Sequence, residues 1–276
     1  MSVELSDEEL DSLTTALFNR YKVDFTQYQK RTMKKMVGKA MHKMGFTDLM
    51  QLWSSLMREK KTFLEFVDNV TVGMTSMFRG VDMWKELRKK ILVDIKKKGA
   101  IKVMHAGCST GEEVYSLGII LKEIGLQKNA QADAFDLNRD SIEICKKGVY
   151  NNVTLRQNEK QFKEYNPFGR FQRFYKEEPG GKSYQMNLDL IDHVSFKEGN
   201  LVHDNFDSNY DIVFCRNVLI YFDSKLKQKI INKFYDALKP GGFMVLGFFD
   251  STNDVDINDF ESYSGQLRLF RKPITV

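Results

Sequence analysis

An α/β fold built on a parallel sheet, preceded by an all-helical N-terminal part and interrupted by a small antiparallel insertion, is what this sequence predicts. Three observations carry that reading. From about residue 100, short apolar runs alternate with amphipathic stretches, the pattern of a parallel sheet with helices on both faces. Before that point the apolar residues recur at helical spacing. From 151 to about 192 the alternation stops, and within it, at about 165–192, two strand-like runs flank Pro179-Gly180-Gly181, which reads as an inserted antiparallel hairpin. The expected divisions are a helical domain over 1–72, a linker and leading helix over 73–98, and the sheet domain over 99–276.

Composition narrows the class. With 276 residues, 42% apolar and 29% charged, the chain can bury a sizeable core and has the balance of a soluble globular protein. No apolar run reaches the length of a membrane span, and MSVELSDEEL is acidic where a signal peptide is basic, so a cytoplasmic location without membrane insertion is expected. Cys108, Cys145 and Cys215 are odd in number, widely spaced and in apolar settings, and read as reduced thiols. Four histidines, none at metal-ligand spacing, indicate no metal site. The net charge of +5 favours an acidic partner only where it is gathered on one surface.

The helical part opens at Ser6, an N-cap followed by three acids. A second helix is expected from Thr26, with Met33, Met36, Val37, Ala40, Met41 and Met44 forming one apolar stripe before Gly45. Its other side carries Arg31, Lys35, Lys39 and Lys43 at intervals of four, which share one face. That face is either solvated or a dock for an acidic protein. No aromatic residues interleave with the cations, so nucleic acid is not expected. A third helix starts near Thr47-Asp48 and a fourth includes LEFVDNV. The segment 72–84, VGMTSMFRGVDMW, lacks a period and links to the helix VDMWKELRKKILVDIKKK. Within it Arg79 stands beside Phe78 and needs an anionic partner, in an ion pair or a ligand.

The first strand is IKVMHA, followed by Gly107 and Gly111 around Cys108-Ser109-Thr110 and a helix that starts with Glu112-Glu113. Such a turn bares backbone N–H groups to a ligand. Two acids there would repel a pyrophosphate and suit a zwitterionic, cationic ligand such as S-adenosylmethionine; they also complement the helix dipole, and the spacing does not separate the two readings. AQADAFDL is a second strand with Asp136 at its tip, placed to accept hydrogen bonds from ribose hydroxyls. Asp140 heads the box D-S-I-E before the helix IEICKKGVY. The alternation resumes with VSFKEGNL, then the central run YDIVFCR, then NVLIYF leaving its end. A helix over 224–238 stops at KPGG. GFMVLGFF is the next strand, and LRLF an antiparallel edge strand.

The combination of AGCSTGEEVYSLG, AFDLN, GNL, FDSNYDIVFCRNVLIYFD and LKPGG closely resembles the chemotaxis receptor methyltransferases, the CheR family of protein-glutamate O-methyltransferases, over nearly the whole chain. The resemblance implies a class I S-adenosylmethionine-dependent (Rossmann-like) methyltransferase domain behind an all-α domain, yielding S-adenosylhomocysteine and acting as a monomer on cytoplasmic helices of chemoreceptors. Carried over by position, Glu112 receives the methionine ammonium, Asp136 the ribose, Asn200 and Leu201 the adenine, with Gly107, Arg216 and Asn217 bordering the cofactor. Thr75 and Arg79 approach its methionine end and the reacting centre, and Tyr221 is the active-site tyrosine. Arg31, Lys35 and Lys39 become a receptor-docking face. The chain departs from the family pattern at Gly73, Met77 and Phe248-Phe249-Asp250, where asparagine, phenylalanine and a histidine-serine pair are usual, and in the short hairpin loop EEPGGKS. The short loop bears on whether a receptor's C-terminal tether peptide is gripped, and the lost polar groups near the site keep open a methyltransferase for another carboxylate, or a cofactor-binding scaffold without turnover.

Overall fold

The structure, a computed structural model, describes residues 5–21, 25–26, 28–71 and 75–274. Helices α1 (Asp7–Tyr21), α2 (Lys30–Lys43), α3 (Leu49–Arg58) and α4 (Lys60–Thr71) enclose one core around Leu13, Val37, Leu52 and Phe66. Ser6 and Glu9 cap α1 reciprocally, Ser6 N donating to Glu9 Oε2 (2.8 Å) and Glu9 N to Ser6 Oγ (3.1 Å). The second helix starts at Lys30, not Thr26. The residues before it are committed elsewhere: Tyr28 forms a β-bridge with Phe222, and Gln29 N donates to Tyr221 O at 2.8 Å. Gly73, one of the departures named above, lies outside the described residues. The long helix of the linker is α5 (Val81–Glu86), a π-helical turn (Leu87–Ile91) and α6 (Leu92–Lys97).

The sheet domain follows as β1 (Ile101–Ala106), α7 (Glu112–Glu123), β2 (Ala130–Asp136), α8 (Arg139–Lys147), β3 (Val149–Asn151), α9 (Asn152–Tyr165), β4 (Tyr175–Glu177), β5 (Ser183–Met186), β6 (Val194–Glu198), β7 (Tyr210–Cys215), α10 (Ser224–Ala237), β8 (Leu238–Leu246), β9 (Glu261–Ser264) and β10 (Leu269–Arg271). Its large sheet has the order β6-β2-β1-β7-β8-β10-β9. The first five strands are parallel, and β10 runs antiparallel to both neighbours. All six residues of β7 are buried, as a central strand covered on both faces requires. Apolar layers lie on either side, one around Tyr115, Leu117 and Phe214, the other around Val213, Ile230 and Phe234. Burying each such side chain stabilises by roughly 1.5–3 kcal/mol. The strand order reverses between β1 and β7, which opens a crevice at their carboxyl ends.

Several elements differ from the sequence reading. The insertion is a three-stranded sheet, β3-β5-β4, rather than a hairpin. Gly148 (φ 63°) ends α8 in the left-handed conformation, so Val149 and Tyr150 leave the helix and pair with β5. Phe171–Phe174 of RFQRFY form a 3-10 turn. Asn138, not Asp140, caps α8, its Oδ1 accepting from Ser141 N at 2.8 Å. The KPGG segment stops α10 but is already strand, because Gly241 (φ 78°) lets β8 bulge against β7. β8 ends at Leu246, and β10 is interior with β9 at the edge. The three cysteines are free and buried, and burial pushes their thiols above the usual range. Among the described residues no helix is long and apolar enough to cross a membrane.

Candidate active site

A cavity of about 590 Å³ occupies the crevice. Its floor is the carboxyl end of the sheet, and its roof includes Lys35, Met36 and Lys39 of α2.

The turn after β1 is shaped by backbone that few side chains tolerate. Gly107 (φ 82°) and Gly111 (φ 95°) are left-handed. A Cβ on Gly107 would lie 2.5 Å from Val218 Cγ2, and one on Gly111 2.0 Å from Cys145 Sγ, so the turn is pressed against its surroundings on both sides. Gly107 N and Cys108 N both donate to Phe135 O (2.8 and 2.9 Å). Ser109, itself at φ 48°, donates its N–H to Asp136 Oδ2 at 2.6 Å, and Asn138 N donates to Oδ1 at 2.9 Å. Burial pushes the Asp136 carboxyl above its ordinary range, and these backbone donors oppose that shift. A carboxylate so fixed, at the edge of a cavity, keeps lone pairs for a vicinal diol. The close approach of Gly107, the depth of the cavity and the fixed acid at the β2 tip fit a nucleoside cofactor.

The opposite wall comes from the linker and the segment after β7. Met77 N donates to Asn158 Oδ1 (2.9 Å) and Phe78 N to Ser116 Oγ (2.8 Å), which holds Phe78 at φ 53°. The Arg79 carbonyl accepts from Trp84 Nε1 (3.1 Å) and from an Arg216 Nη. Arg216 lies 5.6 Å above the Trp84 ring and donates to Glu113 Oε2 at 3.4 Å. Burial draws its pKa down, and Glu113 opposes that. Asn217 (φ 58°) donates its N–H to Asp250 Oδ2 (2.5 Å), Gly247 N donates to the same oxygen (2.7 Å), and Ile220 N to Oδ1 (3.2 Å). Asp250 is fully buried and holds the segment that carries Asn217 and Tyr221. Burial raises the pKa of the Tyr221 phenol, and the Arg79 charge draws it back, so the two side chains feel each other in the cavity.

Thr75, Arg79, Gly107, Asp136, Asn200, Leu201, Arg216, Asn217 and Tyr221 all line this cavity, as do Lys35 and Lys39. Arg31 is exposed one turn nearer the start of α2. Glu112 is not on the wall: it is buried behind the turn, where it accepts from Thr110 Oγ1 at 2.6 Å. Glu113 takes the wall position, held by His105 Nδ1 (2.8 Å) and Arg216. Sequence reasoning also missed Asp250 as an anchor. Its one signal was an acid directly after an apolar strand.

A parallel sheet with a glycine turn after its first strand, an acid at the tip of the second and a cavity at the switch point defines a nucleoside-cofactor-binding α/β protein. Comparison with known proteins narrows this. The family described as CheR methyltransferase, SAM binding domain, matches residues 73–266, and the CheR methyltransferase all-alpha domain matches residues 8–71. A Pseudomonas putida protein provisionally named methyltransferase Cher3 is 30% identical over 97% of this chain and 95% of its own length. Chemotaxis protein methyltransferases of Listeria innocua (27% identical, 82% of this chain and 83% of that one) and Vibrio parahaemolyticus (31%, 70% of each) are also similar. The chain belongs to the CheR methyltransferase family, and its cofactor is S-adenosylmethionine.

Proposed function

We propose that the chain methylates glutamate side chains on the cytoplasmic helices of chemoreceptors, acting as a monomer in the cytoplasm. Similarity to proteins named chemotaxis protein methyltransferases supports the chemoreceptor. The observation that carries the carboxylate is the convergence of Arg79 and Tyr221 on the cavity that Asp136 borders, under a cationic helix.

In this reading Asp136 accepts from the ribose, Asn200 and Leu201 border the adenine, and Thr75, Gly107 and Asn217 shape the cofactor's bed. Of the acidic pair at the start of α7, Glu113 on the wall faces the ammonium, and Glu112, buried behind the turn, adds its charge from there. The bound cofactor supplies an electrophilic methyl group on sulfonium. A glutamate carboxylate is ionised near neutral pH and needs no strong base to attack. What the protein provides is placement and exclusion of water. Arg79 holds the incoming carboxylate by charge-assisted hydrogen bonds. Tyr221, kept protonated by burial, donates to the same group and orients it.

The test is transfer of radiolabelled methyl from S-adenosylmethionine to a chemoreceptor cytoplasmic fragment. Label released as methanol by mild base, and lost with Arg79→Ala, supports the reading. Base-stable label, or label unaffected by that substitution, contradicts it.

A further inference from the structure

Two large aromatic rings stand in water beside the cleft. Phe248 and Phe249 are 75% and 65% exposed and meet edge to face at 5.2 Å. They occupy the tip of the turn 247–250, closed by Asp250 N donating to Gly247 O at 3.0 Å. Both ends of that turn are fastened to the cleft wall: Asp250 accepts from Asn217 N and Ile220 N, and a Cβ on Gly247 would lie 2.6 Å from Asn217 N. Asn217 and Ile220 line the cavity. A rigid support thus displays an apolar pair that the fold leaves uncovered.

A second feature of the rim gives the occupant its charge. On α2 the cations that face α1 are paired, Lys30 with Asp11 and Lys34 with Asp7 (2.6 and 2.5 Å). Arg31, Lys35, Lys39 and Lys43 are exposed, and among the described residues no carboxylate forms a salt bridge with them. Lys35 and Lys39 also line the cavity. The cleft therefore has cations on its helical side and lies against a turn that bears two exposed aromatic rings.

We propose that Phe248 and Phe249 form an aromatic lip that seats an apolar patch on the acidic segment of the substrate protein, beside the carboxylate to be methylated, and so set protein-substrate specificity. The proposal rests on the carboxylate-methylation reading above. Exposed aromatics on rigid support lose little entropy on docking and commonly dominate an interface. Acidic residues of the same segment meet α2, where complementary charge aids encounter and register.

The test compares the unaltered full chain with the Phe248→Ser/Phe249→Ser double variant. Affinity for S-adenosylmethionine is measured by calorimetry, and transfer to a chemoreceptor cytoplasmic fragment by initial rates. The lip predicts that KM for the fragment rises about tenfold, with the effect on KM rather than kcat and with cofactor affinity retained. An unchanged KM overturns it. So does a parallel loss of cofactor affinity, which would make the turn a structural prop only. Failure of the unaltered chain to methylate the fragment contradicts the function reading by itself. The lip is then judged by direct binding of the fragment, where weaker binding by the variant supports it and equal or absent binding overturns it.

Discussion

The guanidinium of Arg216 donates to the backbone carbonyl of Arg79, tying the end of β7 to the linker that carries Arg79, the arginine proposed to hold the substrate carboxylate. Glu113 holds the other side of the same guanidinium. Only a forked donor can serve both partners while lying over the Trp84 ring. Arg216→Lys is therefore expected to lower the methyl-transfer rate by about tenfold to a hundredfold, with the circular-dichroism spectrum of the folded chain retained. A rate equal to that of the unaltered chain would show that the tether does not position Arg79.

Asp250 gathers three backbone N–H groups from the turn it closes and the segment that bears Tyr221. Replacing it by alanine strands those buried donors, at a cost of about 2–4 kcal/mol. Denaturant unfolding should register that loss, and methyl transfer should fall with it because Asn217 and Tyr221 lose their support. Stability equal to that of the unaltered chain would show that Asp250 does not anchor this segment.

Gly107 combines φ 82° with contact against Val218. Gly107→Ala should weaken cofactor binding measured by calorimetry and destabilise the fold by roughly 1–2 kcal/mol. Adding Val218→Ala removes the clash but not the backbone strain, so partial recovery is expected. Full affinity in the single variant would contradict the close-packed turn.

Burial lowers the pKa of His193 to about 4, with nearby His105 adding to the shift. The ring is neutral in the folded chain, while an unfolded histidine takes a proton near pH 6.5. Its contribution to stability is complete above about 6.5 and is lost as the pH falls through about 4, on the order of 2–3 kcal/mol in all. Melting midpoints measured across that window should fall with acid, and His193→Phe should flatten the slope. An identical slope in the variant would assign the acid sensitivity to other groups.

Much of the architecture was written in local patterns. β1, β2 and β7 are apolar runs, β1 followed by a glycine turn and β2 carrying an acid at its tip, and the rule that places an acid after such a turn puts Asp136 where it lines the cavity. What escaped was set by distant contacts. Adjacent residues on a helix point about 100° apart, so whether Glu112 or Glu113 faces the cleft depends on where β7 and Arg216 lie. Asp250 works through backbone groups far along the chain and leaves no periodic trace. Tyr28 and Gln29 look like the start of a helix until Phe222 and Tyr221 claim them. Three- and four-residue strands such as β3 and β9 are too short for alternation to be read.

In the function proposed above, this cavity delivers a sulfonium methyl group to a glutamate carboxylate. The most direct measurement of that transfer is peptide mass spectrometry of a chemoreceptor cytoplasmic fragment after incubation with the full chain and S-adenosylmethionine. The added methyl is expected on glutamate side chains, with the modification lost in the Arg79→Ala chain. A methyl group on any other side chain, or an unmodified fragment from a chain that binds the cofactor, would contradict it.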